Sequence, residues 1–214
     1  MYVAKGLLDE YALQCLYSPF SYTMNEEINF THKEIPKSIE TETLKALSYY
    51  PTLKDTPISF KFKENIKKST MQAQPVLSSF FRSRKNRKFV ILISKRVKID
   101  KETFKITDVP SDVLIGWIGH ELGHVMDYRA RGTVDMFFFG IKYLYSTGHI
   151  QEVERAADTF AVAHGMGDYI LKTKDFILNH ADISETYKAR IRQLYLSPEE
   201  IMQLIEKHNE NEVV

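Results

Sequence analysis

The chain has 214 residues, with 29 Lys and Arg against 28 Asp and Glu, for a formal net charge of +1. Hydrophobic residues make up 43% and charged residues 27%, which excludes the disordered, collagen-like and low-complexity classes. The balanced charge removes the main argument for a nucleic-acid partner, and a single cysteine, Cys15, forbids an internal disulfide and fits a reducing compartment.

Residues 1–10 lack the basic start, apolar run and small-residue cleavage site of a secretory signal, so a soluble, cytoplasmic protein is expected. From Leu7 to Tyr17, apolar residues recur at a rough helical period until Ser18-Pro19 breaks it. The aromatic stretch from Tyr17 to Phe30 would permit a protein partner. A second helix is predicted over 39–50, closed by Pro51.

Residues 56–106 read as strands. Ile58 to Phe62 alternates apolar and polar, as a half-exposed strand does. Gln74 to Phe81 contains Pro75 and reads as an irregular edge strand. Phe89 to Ser94, FVILIS, is the strongest strand pattern in the chain. The basic run RSRKNRK at 82–88 before it is predicted to be a solvated hairpin turn at Asn86. A phosphate-binding patch is the alternative, and no interleaved aromatics support it.

From Ser111 onward the pattern is helical. Ser111-Asp112 predicts an N-cap. The most apolar run, VDMFFFGIKYLY at 134–145, falls short of the roughly 20 apolar residues that span a bilayer. It is expected to be buried, with an interfacial patch for a membrane or a protein as the alternative. Further helices are predicted over 150–164, 169–179, 185–195 and 198–208. Ser197, Pro198 and two glutamates open the last of these. Strands followed by helices give an α+β fold. A single domain over 1–214 is expected, with a helical N-terminal stretch (1–51), a sheet (56–106) and a helical metal-binding stretch (111–214).

One motif stands above the rest: His120-Glu121-Leu122-Gly123-His124, an HExxH pentapeptide. On a helix, residues four apart share a face, so two imidazoles can bind one zinc ion. Glu121 sits about 100° round the helix, beside the metal rather than on it. That is where a general base for a zinc-bound water is needed. Gly116, Gly119 and Gly123 recur at three- and four-residue spacing, which would let another element approach closely. Such a pentapeptide arises by chance in roughly one chain in fifty of this composition, so a third ligand must be found. Glu154 and Asp158 are four apart on the next predicted helix, with Ala156, Ala157 and Ala161 leaving room for tight packing. Glu154 is the favoured third ligand and Glu152 its rival. Asp158 would accept a hydrogen bond from a ligand imidazole. Trp117 is expected in the core. His164 and His180 are read as surface or satisfied histidines, His149 as a helix-start residue, and His32 and His208 as solvated.

HELGH followed by E-R-A-A-D resembles the gluzincin metallopeptidases, in the branch of the CaaX prenyl proteases, the membrane protease HtpX and the soluble minigluzincins. The resemblance covers roughly 111–165. It implies a zincin-like fold: a small mixed sheet, a motif-bearing active-site helix and a helical C-terminal half. It also implies Glu154 as third ligand and one zinc ion per chain. The activity implied is hydrolysis of a peptide or protein substrate. By analogy the strand 89–94 would be the edge along which an extended peptide lies. Membrane-spanning segments of the integral-membrane members are absent, and repressor-cleaving peptidases of the ImmA type share a similar ligand pattern. Related enzymes place an oxyanion-stabilising residue just after the ligand helices, where Tyr187 and Arg190 stand. A non-catalytic zinc sensor or interaction module is the competing reading, and the presence of Glu121 argues against it.

Overall fold

The computed structural model describes residues 30–212, apart from 65, 67–68, 81, 100–101 and 180–182. The helix expected near 7–17, the stretch 17–29 and His180 therefore lie outside the described residues.

The elements follow in chain order. They are β1 (Lys33–Glu34), α1 (Glu40–Ser48), β2 (Ile58–Lys63), β3 (Met71–Pro75), β4 (Phe89–Ser94), β5 (Arg96–Ile99) and β6 (Glu102–Lys105). The helical half holds α2 (Ser111–Ala130), α3 (Thr133–Tyr145), α4 (Thr147–Ala163), α5 (Gly167–Asn179), α6 (Glu185–Leu194) and α7 (Pro198–Glu212). The fold is thus mixed α+β with a small mixed sheet, as the pattern of strands then helices predicts. No described helix is long and apolar enough to cross a membrane.

The four-stranded sheet runs in the order β1-β2-β4-β3. Strands β1, β2 and β4 are parallel, and β3 runs antiparallel to β4. This corrects the expectation for 89–94. That strand is inner, and β3 is the edge beside it. The physical reason is in its sequence: a continuous apolar run suits a strand flanked by neighbours on both sides. Pro75, which cannot donate to a ladder, sits instead at the end of the edge strand. The edge strand itself begins earlier than the predicted 74–81, and a short 3-10 turn occupies 77–79.

Helix α2 is buried continuously from Val113 to Val125, which marks it as the central element. Its start differs from expectation. Pro110 holds the N-cap position, and the Ser111 hydroxyl instead donates to Glu42 Oε1 of α1 at 3.0 Å. Its end is closed by Arg87, a fully buried member of the basic run. The Arg87 guanidinium donates to the carbonyls of Tyr128 at 2.8 Å and Arg131 at 3.1 Å, which the helix cannot satisfy internally. So the run 82–88 is not a wholly solvated turn; four of its cations face solvent and the fifth caps a helix.

Close packing around α2 rests on its glycines. A Cβ on Gly116 would stand 2.4 Å from the Tyr169 carbonyl oxygen of α5. One on Gly123 would stand 2.5 Å from the Ala157 carbonyl oxygen of α4. Both obstacles are backbone, so neither can swing aside. The glycine spacing therefore does what the sequence suggests, and it draws α4 against the HExxH turn. Gly123→Ala is expected to destabilise the fold by about 1–3 kcal/mol through overpacking. Gly140, whose Cβ would meet nothing, provides the control. Gly140→Ala should be neutral or stabilising by up to about 1 kcal/mol. Denaturant melts of the two variants check this, and equal midpoints would refute it.

Candidate metal centre

His120 and His124 project from one face of α2, with ring centroids 4.7 Å apart. Across from them Glu154 projects from α4. Its Oε2 lies 3.1 Å from His120 Nε2 and 3.3 Å from His124 Nε2. One ligand atom from each of the three lies within 4.8 Å of the others, and all three residues are buried. Ligands on a tetrahedral zinc, at about 2.0–2.1 Å from the metal, are separated by roughly 3.3–3.4 Å. The observed separations fit such an ion, and the group could hold a metal. Glu152, the rival ligand, points elsewhere. It is exposed and lies 3.5 Å from His149 Nδ1.

Asp158, one helical turn beyond Glu154, sits behind the cluster. Its Oδ1 is 2.8 Å from His120 Nδ1. Its Oδ2 accepts from Lys174 Nζ at 2.9 Å and from the Leu196 amide at 3.1 Å. Burial opposes ionisation of this carboxyl, but Lys174 and His120 outweigh it and hold the pKa below its ordinary value. With Nδ1 against Asp158, His120 Nε2 faces the cluster. Among the described residues, His124 Nδ1 has no such partner.

The clustered groups shift one another's ionisation. Burial alone would raise the Glu154 pKa, yet the two imidazoles bring it well below the carboxylate range. Burial would likewise lower His120, yet Asp158 and Glu154 push it up to about 10.

Glu121 stands beside this group and outside it. Its Oε2 accepts the Ala73 amide of β3 at 2.6 Å. Burial raises its pKa, and the neighbouring histidines only partly offset that. A cavity opens next to His120 and Glu121, walled by Thr70, Met71, Trp117, Tyr187 and Tyr195. Tyr187 lines it with its hydroxyl 3.5 Å from Thr70 Oγ1. Arg190 does not line the cavity; it sits partly buried on the same helix.

Two residues of this site escape a reading of the sequence. Lys174 is buried, pairs with Asp158, and lies 4.1 Å from the centre of the Tyr195 ring. Tyr195 in turn packs 5.3 Å from the His120 ring. Burial, with Glu154 and other acids nearby, holds its phenol well above its ordinary pKa. Of the other histidines, His164 is satisfied, bonded to the Phe160 carbonyl and stacked on Tyr50. His149 lies in the first turn of α4, its amide held by the Ser146 hydroxyl. Trp117 is in the core, edge-on to Phe176.

Comparison of the chain with family models, with curated proteins and with solved structures gives no match. The reading of the site therefore stands on its geometry.

Two outcomes are expected. A His120 pKa raised in the folded state stabilises the fold below the ordinary value of 6.5, and that contribution is lost as pH rises through about 10. Zinc competes for the same nitrogen, so its uptake near pH 7 should release about one proton per chain. Calorimetry in buffers of different ionisation heat would read this, and a buffer-independent heat would refute it. Lys174→Met should weaken zinc affinity about 10–100-fold by loosening Asp158. Competition with a chromogenic chelator measures the change, and unaltered affinity would remove Lys174 from this role.

Proposed function

We propose that the chain is a zinc-dependent metallopeptidase of zincin-like fold. His120, His124 and Glu154 are its ligands and Glu121 its general base. The observation that carries this reading is a buried acid placed beside, but outside, a buried two-histidine, one-carboxylate group. A carboxylate that is buried without ligating costs free energy. A purely structural or sensing zinc site has no use for it, whereas hydrolysis does.

These three residues would hold a zinc ion, which would supply an acidified water and an electrophile for the substrate carbonyl. Glu121 takes the proton of the attacking water and returns it to the leaving nitrogen. Asp158 and Lys174 keep His120 oriented. The Tyr187 and Tyr195 phenols line the cavity beside His120, and their high pKa keeps them protonated. They are the donors for the developing oxyanion. Strand β3 is the edge strand beside Glu121, and an extended peptide pairs along it. Its Ala73 amide, now bonded to Glu121, is the donor such a peptide meets.

Metal content per chain, by mass spectrometry on protein purified without added metal, tests the reading first. About one zinc is expected in the wild type and less than about a tenth of that in Glu154→Gln. No zinc in either, even after zinc is offered, would sink the proposal. Glu121→Gln should keep the zinc and lose peptide hydrolysis by about 100-fold or more. Tyr195→Phe should lower kcat about 10–100-fold with zinc content unchanged. A peptide library with mass-spectrometric readout serves as the substrate.

A further inference from the structure

Helix α3 is apolar on two sides, one turned to the core and the other outward. Met136 and Phe139 are buried inward. The Phe139 ring packs against Tyr128 and under the Arg131 guanidinium, 4.4 Å from its centre. On the other side Val134 is 71% exposed, Phe138 56% and Tyr145 85%. At about 100° per residue, positions 134, 138 and 145 fall within about 40° of one another. They form one stripe about 16 Å long. Exposed apolar residues scattered singly are ordinary, but an aligned set of this size on one helix is not.

The run 82–88 borders the start of this helix. Arg87 ties the two together, donating to the Arg131 carbonyl at 3.1 Å and to Thr133 Oγ1 at 3.5 Å. The Arg84 guanidinium reaches Gly132, just before α3 begins. Arg82, Arg84, Lys85 and Lys88 are all exposed, and no acid stands among residues 82–88. Lys142, exposed on α3, adds a cation on the flank of the stripe. On a chain whose net charge is +1, this is a local concentration of positive charge. Leu77, 84% exposed, lies on the same β3–β4 connection.

From this pairing we propose that α3 and the loop 82–88 dock the protein on an anionic membrane surface. The helix lies flat, with Val134, Phe138 and Tyr145 at the boundary of headgroups and acyl chains, while the loop cations meet anionic headgroups. A nucleic acid would engage the cations and leave the apolar stripe in water. A stable protein interface covers about 800 Å² per partner, more than a stripe of three side chains provides. A bilayer surface matches both features at once. This proposal is independent of the metal centre.

The test is co-sedimentation of the full chain with vesicles of phosphatidylcholine, with and without phosphatidylserine. Binding is expected only when phosphatidylserine is present, and it should weaken as salt is raised. Phe138→Glu and the double change Arg84→Glu, Lys85→Glu should each reduce binding about tenfold. Met202→Glu, at an exposed apolar position on α7, should leave it unchanged. Thermal melts confirm that each variant is folded, and the loop variant stands alone if Phe138→Glu is not. Failure to sediment with either vesicle, equal binding to phosphatidylcholine alone, or binding unaffected by the patch variants would each overturn the proposal.

Discussion

The buried carboxylate of Asp158 is the point where three regions of the helical half meet. From α4 it reaches His120 of α2, Lys174 of α5, and the Leu196 amide in the link between α6 and α7. A buried charge is costly unless it is paired and hydrogen-bonded. Here it has three donors, two of them on charged or chargeable groups. Its position depends in turn on the contact between α2 and α4, which Gly123 and Ala157 make as close as two backbones allow. Widening that contact would move Glu154 and Asp158 together, because one helix carries both. The ligand cluster and the packing of the helices are therefore one arrangement.

Much of this is legible in the sequence. The spacing within His120-Glu121-Leu122-Gly123-His124 requires the two imidazoles to share a helical face, since a helix offers no other geometry at four residues apart. The same argument joins Glu154 to Asp158. The glycines at 116 and 123 announce a close approach, although not which helices make it. The helices expected over 150–164, 169–179 and 185–195 begin and end within about three residues of those bounds, and Ser197-Pro198 marks the start of the last one, whereas the apolar run at 134–145 is not singled out as a helix.

What the sequence hides depends on contacts far apart in the chain. Nothing in the sequence sets Lys174 apart within the predicted helix 169–179, and its burial depends on Asp158, 16 residues earlier. Arg87 reads as one more cation of a solvated turn, but its carbonyl partners 41 and 44 residues away take it inside. Tyr195 reads as the end of a helix, yet its ring lies between the Lys174 ammonium and the His120 imidazole. Analogy places the edge strand at 89–94. Pro75 and the unbroken apolar run of 89–94 argue for the opposite order, through the rules that place proline at edges and fully apolar strands inside.

The bond between Glu121 and the Ala73 amide ties the central helix to the strand. A strand with a neighbour on one side only leaves backbone donors that need other partners. In β3 the donor at the middle of the strand, on the side away from β4, is taken by Glu121, and Pro75 has none to offer two residues on. Ala73 and Glu121 are both buried, so water cannot stand in for either. A chain with only a methyl group at position 121 would leave that amide buried without its partner, and the cost would fall on the fold as well as on the site.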